Sequence, residues 1–193
     1  MDTAQIAPTT VILAADEASL YLQATTKVVW HPQGQTPIIK LHPGRESTHF
    51  YGALNLATGQ ETALRTAVMN AEITALFLLR LLATYPGQPI LLLWDRAPWH
   101  RGQAIQQILK EHPRLEVVYL PPAAPDLNPQ EHVWKAARTF VSHNHRFAKL
   151  DQLADAFERH LTSTTFPCSL LAHHNYFRLC SMFAWVVHKN GEL

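Results

Sequence analysis

Cysteine is nearly absent from this chain: Cys168 and Cys180 are the two thiols in 193 residues, twelve positions apart and without a Cys-x-x-Cys pair. That excludes a disulfide-built scaffold and makes reduced thiols the expectation. Net charge is also close to absent. Sixteen Lys and Arg stand against fifteen Asp and Glu, a formal +1, so any nucleic-acid surface must be a local patch and not a global field. No apolar stretch reaches the roughly 18 residues of a membrane span, and Met1–Thr10 lacks a basic segment followed by an apolar core. A soluble cytoplasmic protein is the expectation. Internal repeats, low-complexity tracts and obvious linkers are missing as well. Histidine is plentiful, at twelve, but His173-His174 and His143-Asn144-His145 lack helical His-x-x-x-His spacing and paired cysteine ligands, which argues against structural zinc.

A hydrophobic content of 47% is ample for one packed core, so residues 1–193 are expected to form a single domain. Val11–Asp16 reads as a short buried strand that ends on an acid. Lys27–Trp30 and Thr48–Leu56 read as two more, the last closed by the turn Ala57-Thr58-Gly59, and the three suggest an antiparallel meander. Asn70–Ala83 is dense enough in Leu, Ile and Phe for a mostly buried helix, stopped by Pro86-Gly87. Ile90–Trp94 is continuously apolar, as in a strand covered on both faces. Gly102–Glu111 has helical spacing and Leu115–Leu120 reads as a strand, so this strand-helix-strand unit predicts parallel pairing. Asn128 caps a helix whose first position is Pro129, where a missing N–H costs least, and Glu131 falls in its first turn. A further helix is expected over Leu150–Leu161, and Cys168–Val187 suggests a helical tail with unclear bounds.

The chemistry lies in three acids. Asp16 ends one apolar run, Asp95 follows the run Leu91-Leu92-Leu93-Trp94, and Glu131 follows the proline-rich stretch Pro121–Pro129. Three carboxylates converging on divalent cations is the chemistry of phosphodiester cleavage and transfer. Each has a plainer reading: a solvated turn acid for Asp16, a helix N-cap for Asp95, a complement to a helix N-terminus for Glu131. Glu17 rivals Asp16, but period-two alternation sends the two to opposite faces of a strand. The half of the chain holding Asp95 and Glu131 is basic, with eight Lys and Arg against four acids between Arg96 and Lys149. His100 would reach a phosphate or serve as a core hydrogen-bond donor. Lys135 and Arg138, at i+4 and i+7 from Glu131, would contact DNA phosphates or form a solvated face. Trp134 reads as the core anchor of its helix.

Four phrases carry a family resemblance: Ala15-Asp16-Glu17-Ala18-Ser19, Tyr51–Gly59, Trp94-Asp95-Arg96-Ala97-Pro98-Trp99-His100, and Leu120-Pro121-Pro122-Ala123-Ala124-Pro125-Asp126-Leu127-Asn128-Pro129-Gln130-Glu131-His132-Val133-Trp134. In that order, over Val11–Phe147, they resemble the catalytic domain of DDE transposases of the mariner-like bacterial insertion-sequence group. Asp95 and Glu131 are separated by 35 residues, similar to that group's short second interval. The resemblance implies an α/β, ribonuclease H-like fold: a mixed central sheet, antiparallel meander plus parallel strands, flanked by helices, with a core over 11–147 and a helical extension over 148–193. It implies Asp16, Asp95 and Glu131 as catalytic metal ligands for Mg²⁺, or Mn²⁺ as substitute, with two ions about 3.5–4 Å apart and Asp16 bridging them. It further implies cleavage at element ends, strand transfer into target DNA at TA sites, double-stranded DNA as partner, a homodimer or synaptic complex, and action at the bacterial nucleoid.

Two departures accompany it. Arg96 stands where the family commonly has Asn, a cation beside a proposed ligand and a candidate DNA contact. Members usually also carry an N-terminal helix-turn-helix, so this chain is expected to be the catalytic half of a split or truncated transposase, or end recognition to reside elsewhere, as in a separate helix-turn-helix subunit. The alternatives are a repurposed fragment that binds DNA or protein without catalysis, and a ribonuclease H-like nuclease that does not join strands.

Overall fold

The computed structural model describes residues 10–23, 45–122 and 125–166, with positions 28, 32–34 and 38 between them. Five strands form one mixed sheet: β1 (Val11–Tyr21), β2 (Ser47–Asn55), β3 (Glu61–Thr66), β4 (Ile90–Trp94) and β5 (Leu115–Tyr119). Their order is β3-β2-β1-β4-β5. The first three pair antiparallel, whereas β1, β4 and β5 run parallel, as the strand-helix-strand pattern requires. Among the described residues, no helix is long and apolar enough to cross a membrane.

The meander departs from expectation in its membership. Its third strand is Glu61–Thr66, and the strand expected over Lys27–Trp30 lies outside the described residues, Val28 excepted, which is in no strand. The turn at Ala57-Thr58-Gly59 is where it was expected: Asn55 Oδ1 accepts from the N–H groups of Ala57 and Thr58, and Gly59 takes a positive φ of 73°. β1 also runs five residues past Asp16, which therefore sits mid-strand and not at a strand end.

Helices α1 (Ala71–Thr84) and α2 (Gln103–Glu111) cover one face of the sheet; α3 (Pro129–Ala137) and α4 (Leu150–Ser163) cover the other. Alternation along β1 divides its side chains between the two cores. Leu13 and Ala15 join α1 and α2, while Ala14, Ala18 and Leu20 join α3 and α4. Asn70 caps α1 by accepting from Ile73 N–H at 2.9 Å, and Asn128 caps α3 by accepting from Gln130 N–H at 3.1 Å, with Pro129 at the first helical position. The residues beyond 166, the expected helical tail among them, lie outside the described set.

Candidate metal centre

The parallel register of β1 and β4 positions two of the three acids. The last pair is Ala14 with Leu93, so Asp16 and Asp95 each lie two residues further along and share one level where β4 ends. Beyond that pair the carbonyl of Ala15 has no β4 partner. Asn128 takes it, donating through Nδ2 at 3.0 Å while its Oδ1 caps α3. One asparagine thus moors the helix start, and Glu131 in its first turn, beside Asp16.

Asp16 is 9% exposed and faces α3, where Trp134 Nε1 donates to its Oδ2 at 3.1 Å. Burial pushes its carboxyl up to about 7; a backbone hydrogen bond opposes this, and the charges of Glu131, Glu17 and Asp95 add to it. Glu131 and Asp95 are therefore both close enough to repel a charge on Asp16. Glu131 itself is exposed. The residue paired with Asp16 on β2 is Gly52, and a Cβ there would collide with Glu61 Oε1, Gln130 Nε2 and the Trp134 ring. Lack of a side chain at this position is what lets α3 settle onto the sheet.

Glu17 points to the opposite face, as alternation requires, and meets His100. The imidazole Nε2 lies 2.9 Å from Glu17 Oε1, Nδ1 lies 2.9 Å from Asp95 Oδ1, and the ring stacks on Trp94 at 3.7 Å. Trp99 Nε1 donates to Glu17 Oε2 at 2.9 Å. Burial alone would push the imidazole down, but the contacts with Asp95 and Glu17 outweigh it and hold the ring up at about 9. That shift favours the protonated ring, which donates from both nitrogens. The same contact lowers the Asp95 carboxyl below its usual range. Glu17, Asp95 and His100 offer ligand atoms within 4.8 Å of one another. With both nitrogens engaged, the imidazole forms a bridge between the two carboxylates.

The expected DNA contacts fall into two groups. Lys135 is exposed, and Arg138 is half-buried with one guanidinium nitrogen on Ser19 O at 3.3 Å. Arg96 turns toward β5: its Nε donates to Leu120 O at 3.3 Å and its guanidinium lies over the Tyr119 ring. For His100 the expectation left a phosphate contact and a core hydrogen-bond donor both open. It is 2% exposed with both nitrogens engaged, the geometry of a core donor. Sequence reasoning missed Glu61 and Gln130, buried beneath Asp16 and Trp134 and joined at 2.6 Å; a lone polar pair 69 residues apart leaves no local signal.

Comparison with known proteins gives these positions a context. The profile of the DDE superfamily endonucleases matches residues 11–154. The insertion element IS630 uncharacterized 39 kDa protein of Shigella sonnei is 30% identical over 156 residues, 79% of this chain and 44% of that protein. The chain thus spans less than half the length of this curated relative. Among solved structures, the Mos1 transposase paired-end complex with left transposon end superposes with a TM-score of 0.64 at 18% identity, covering 90% of this chain and 55% of the other. The Mos1 mariner paired end complex with Mn gives 0.61 at 20% identity, with the same coverage. The likeness is one of fold, a ribonuclease H-like mixed sheet with helices on both faces.

Proposed function

The chain belongs to the DDE superfamily of endonucleases, and from that premise we propose that it is the catalytic domain of a transposase, cutting DNA at element ends and joining the 3′-hydroxyl to target DNA. The observation that carries this reading is Asp16. A carboxylate 9% exposed, with the neutral N–H of Trp134 as its side-chain partner and with Glu131, Glu17 and Asp95 all near enough to repel its charge, is a place where a bound cation would offset both burial and repulsion.

The donor set fits a hard divalent ion, being carboxylate oxygen throughout. Asp16, Asp95 and Glu131 would hold Mg²⁺ or Mn²⁺, two ions with Asp16 shared, and such ions when bound activate the attacking oxygen and stabilise the leaving one. The chain's own residues do the rest. Asn128 holds the Glu131 helix against β1, and Trp134 fixes the orientation of Asp16. Lys135 offers a charge one turn beyond Glu131 for a backbone phosphate. The Mn-containing Mos1 complex and the paired transposon-end complex support both metal and duplex DNA as partners. A homodimer or synaptic assembly completes the proposal, because two ends must be brought together.

Nicking of duplex DNA by the purified chain in Mg²⁺ or Mn²⁺ tests it. Wild type is expected to nick, and Asp95→Asn to lose nicking while keeping its fold. Equal nicking by the variant would overturn the assignment. DNA retention without metal-dependent nicking would point to the non-catalytic alternative, and a preference for RNA–DNA hybrid to a ribonuclease H-like nuclease.

A further inference from the structure

We propose that His100 and Glu17 are positioning residues for Asp95, a buried brace that presents one of its carboxylate oxygens to metal and retains the other. The inference rests on the assignment of Asp95 as a ligand.

Asp95 is the first residue beyond β4, and its side chain is 46% exposed, so neither strand pairing nor packing fixes its rotamer. Two donors do. Ala97 N–H reaches Oδ1 at 3.1 Å, and His100 Nδ1 reaches the same oxygen at 2.9 Å. Both converge on Oδ1, which leaves Oδ2 to a cation. His100 is itself immobile, its face stacked on Trp94 and its Nε2 held by both Glu17 oxygens at 2.9 and 3.1 Å. Glu17 is anchored in turn by Trp99 Nε1. The brace returns to β1 one residue after Asp16, on the opposite face of the strand. Neighbouring residues of β1 thus serve one centre from two sides: Asp16 as a ligand, Glu17 as the footing for another ligand's orientation. Outer partners of this kind commonly change metal affinity by about 10- to 100-fold when removed.

The two ring nitrogens can be mimicked separately, which gives a test that packing alone would not satisfy. The amide of Asn superimposes on the Nδ1 position and that of Gln on the Nε2 position, so His100→Asn retains the donor to Asp95 and His100→Gln retains the donor to Glu17. Mn²⁺ binding to the full chain is measured by the electron paramagnetic resonance signal of the free ion, beside thermal melts of the metal-free variants. His100→Asn, which keeps the donor to Asp95 but loses the Glu17 footing, is expected to bind Mn²⁺ a few-fold more weakly than wild type, and His100→Gln, which loses the donor itself, about tenfold more weakly, whatever the order of their melting temperatures. Should His100→Gln fail to fold, Glu17→Ala replaces it, with a loss of several-fold expected.

Wild-type affinity in His100→Gln or Glu17→Ala, or equal losses in the Asn and Gln variants, would overturn the brace. Asp95→Asn keeps the two questions apart. If it loses Mn²⁺ while the His100 variants do not, the brace falls and the ligand assignment stands; if it binds as wild type does, the ligand assignment falls first.

Discussion

Trp134 Nε1 donates to Asp16 Oδ2 at 3.1 Å, tying the centre of α3 to the middle of β1 across 118 positions of sequence. Trp134 is 1% exposed, so the contact forms in an apolar setting where a carboxylate has few other partners. Trp134→Phe retains most of the packing and deletes the donor. A loss of about 1.5–3 kcal/mol is expected at pH values where Asp16 is ionised, fading in acid as the carboxyl takes up its proton. Urea unfolding at pH 5 and pH 8 reads the difference; an equal loss at both values would show that the indole N–H does not serve the charge.

Asn128 has two separable tasks, capping α3 through Oδ1 and holding Ala15 O through Nδ2. Asn128→Ala should cost about 2–4 kcal/mol, a lost cap together with a buried carbonyl left unpaired. Asn128→Ser restores the cap alone and should recover only part of the loss. Full recovery by Ser, measured in denaturant, would mean that the link to β1 contributes nothing.

Much of this arrangement follows local rules and was readable in the sequence. Asn128-Pro129 set the start of α3 and put Glu131 in its first turn, and alternation sent Asp16 and Glu17 to opposite faces. The continuous apolar run Ile90–Trp94 gave the sheet a central parallel strand and delivered Asp95 at its end. What escaped depends on distant partners. β1 was expected to end on Asp16, where the apolar run stops, yet Glu17 is satisfied by His100 and Trp99 and Ser19 by His49, and the strand continues to Tyr21. β3 escaped because Ala63 and Leu64 are its only apolar residues, and its buried acid, Glu61, is accommodated by Gln130 on α3.

Glu61 gives the pH dependence. Burial raises its carboxyl well above the ordinary range, with hydrogen bonds from Gln130 and from the backbone at Ala53 only partly opposing. A folded state that holds its proton more tightly than the unfolded chain is stabilised in acid and loses that stability as pH rises through the folded value. Asp16, raised to about 7, slopes the same way. Glu61→Gln keeps an acceptor for Gln130 and carries no charge, so the metal-free variant should be more stable than wild type at pH 8 and above, with a flatter profile. A parallel pair of stability-versus-pH curves would contradict a buried neutral Glu61.

Lys135 and Arg138 lie on the helix that carries Glu131 but differ in attachment: Lys135 is exposed, whereas Arg138 is held on Ser19 O. Lys135→Ala should weaken binding to duplex DNA of any sequence, reduce the salt slope by about one and leave stability within about 0.5 kcal/mol of wild type. Arg138→Ala should cost stability as well. Fluorescence anisotropy across a salt series, paired with thermal melts, distinguishes the two residues; an unchanged slope in Lys135→Ala would remove it from the DNA surface.

A shared metal centre built by Asp16, Asp95 and Glu131 is tested most directly by anomalous diffraction from crystals grown with Mn²⁺. A manganese peak contacted by carboxylate oxygens of Asp16 and Asp95, with Glu131 at its side, is the expected result. Density confined to the Glu17–His100 cluster, or its absence between the three acids at saturating Mn²⁺, would contradict it.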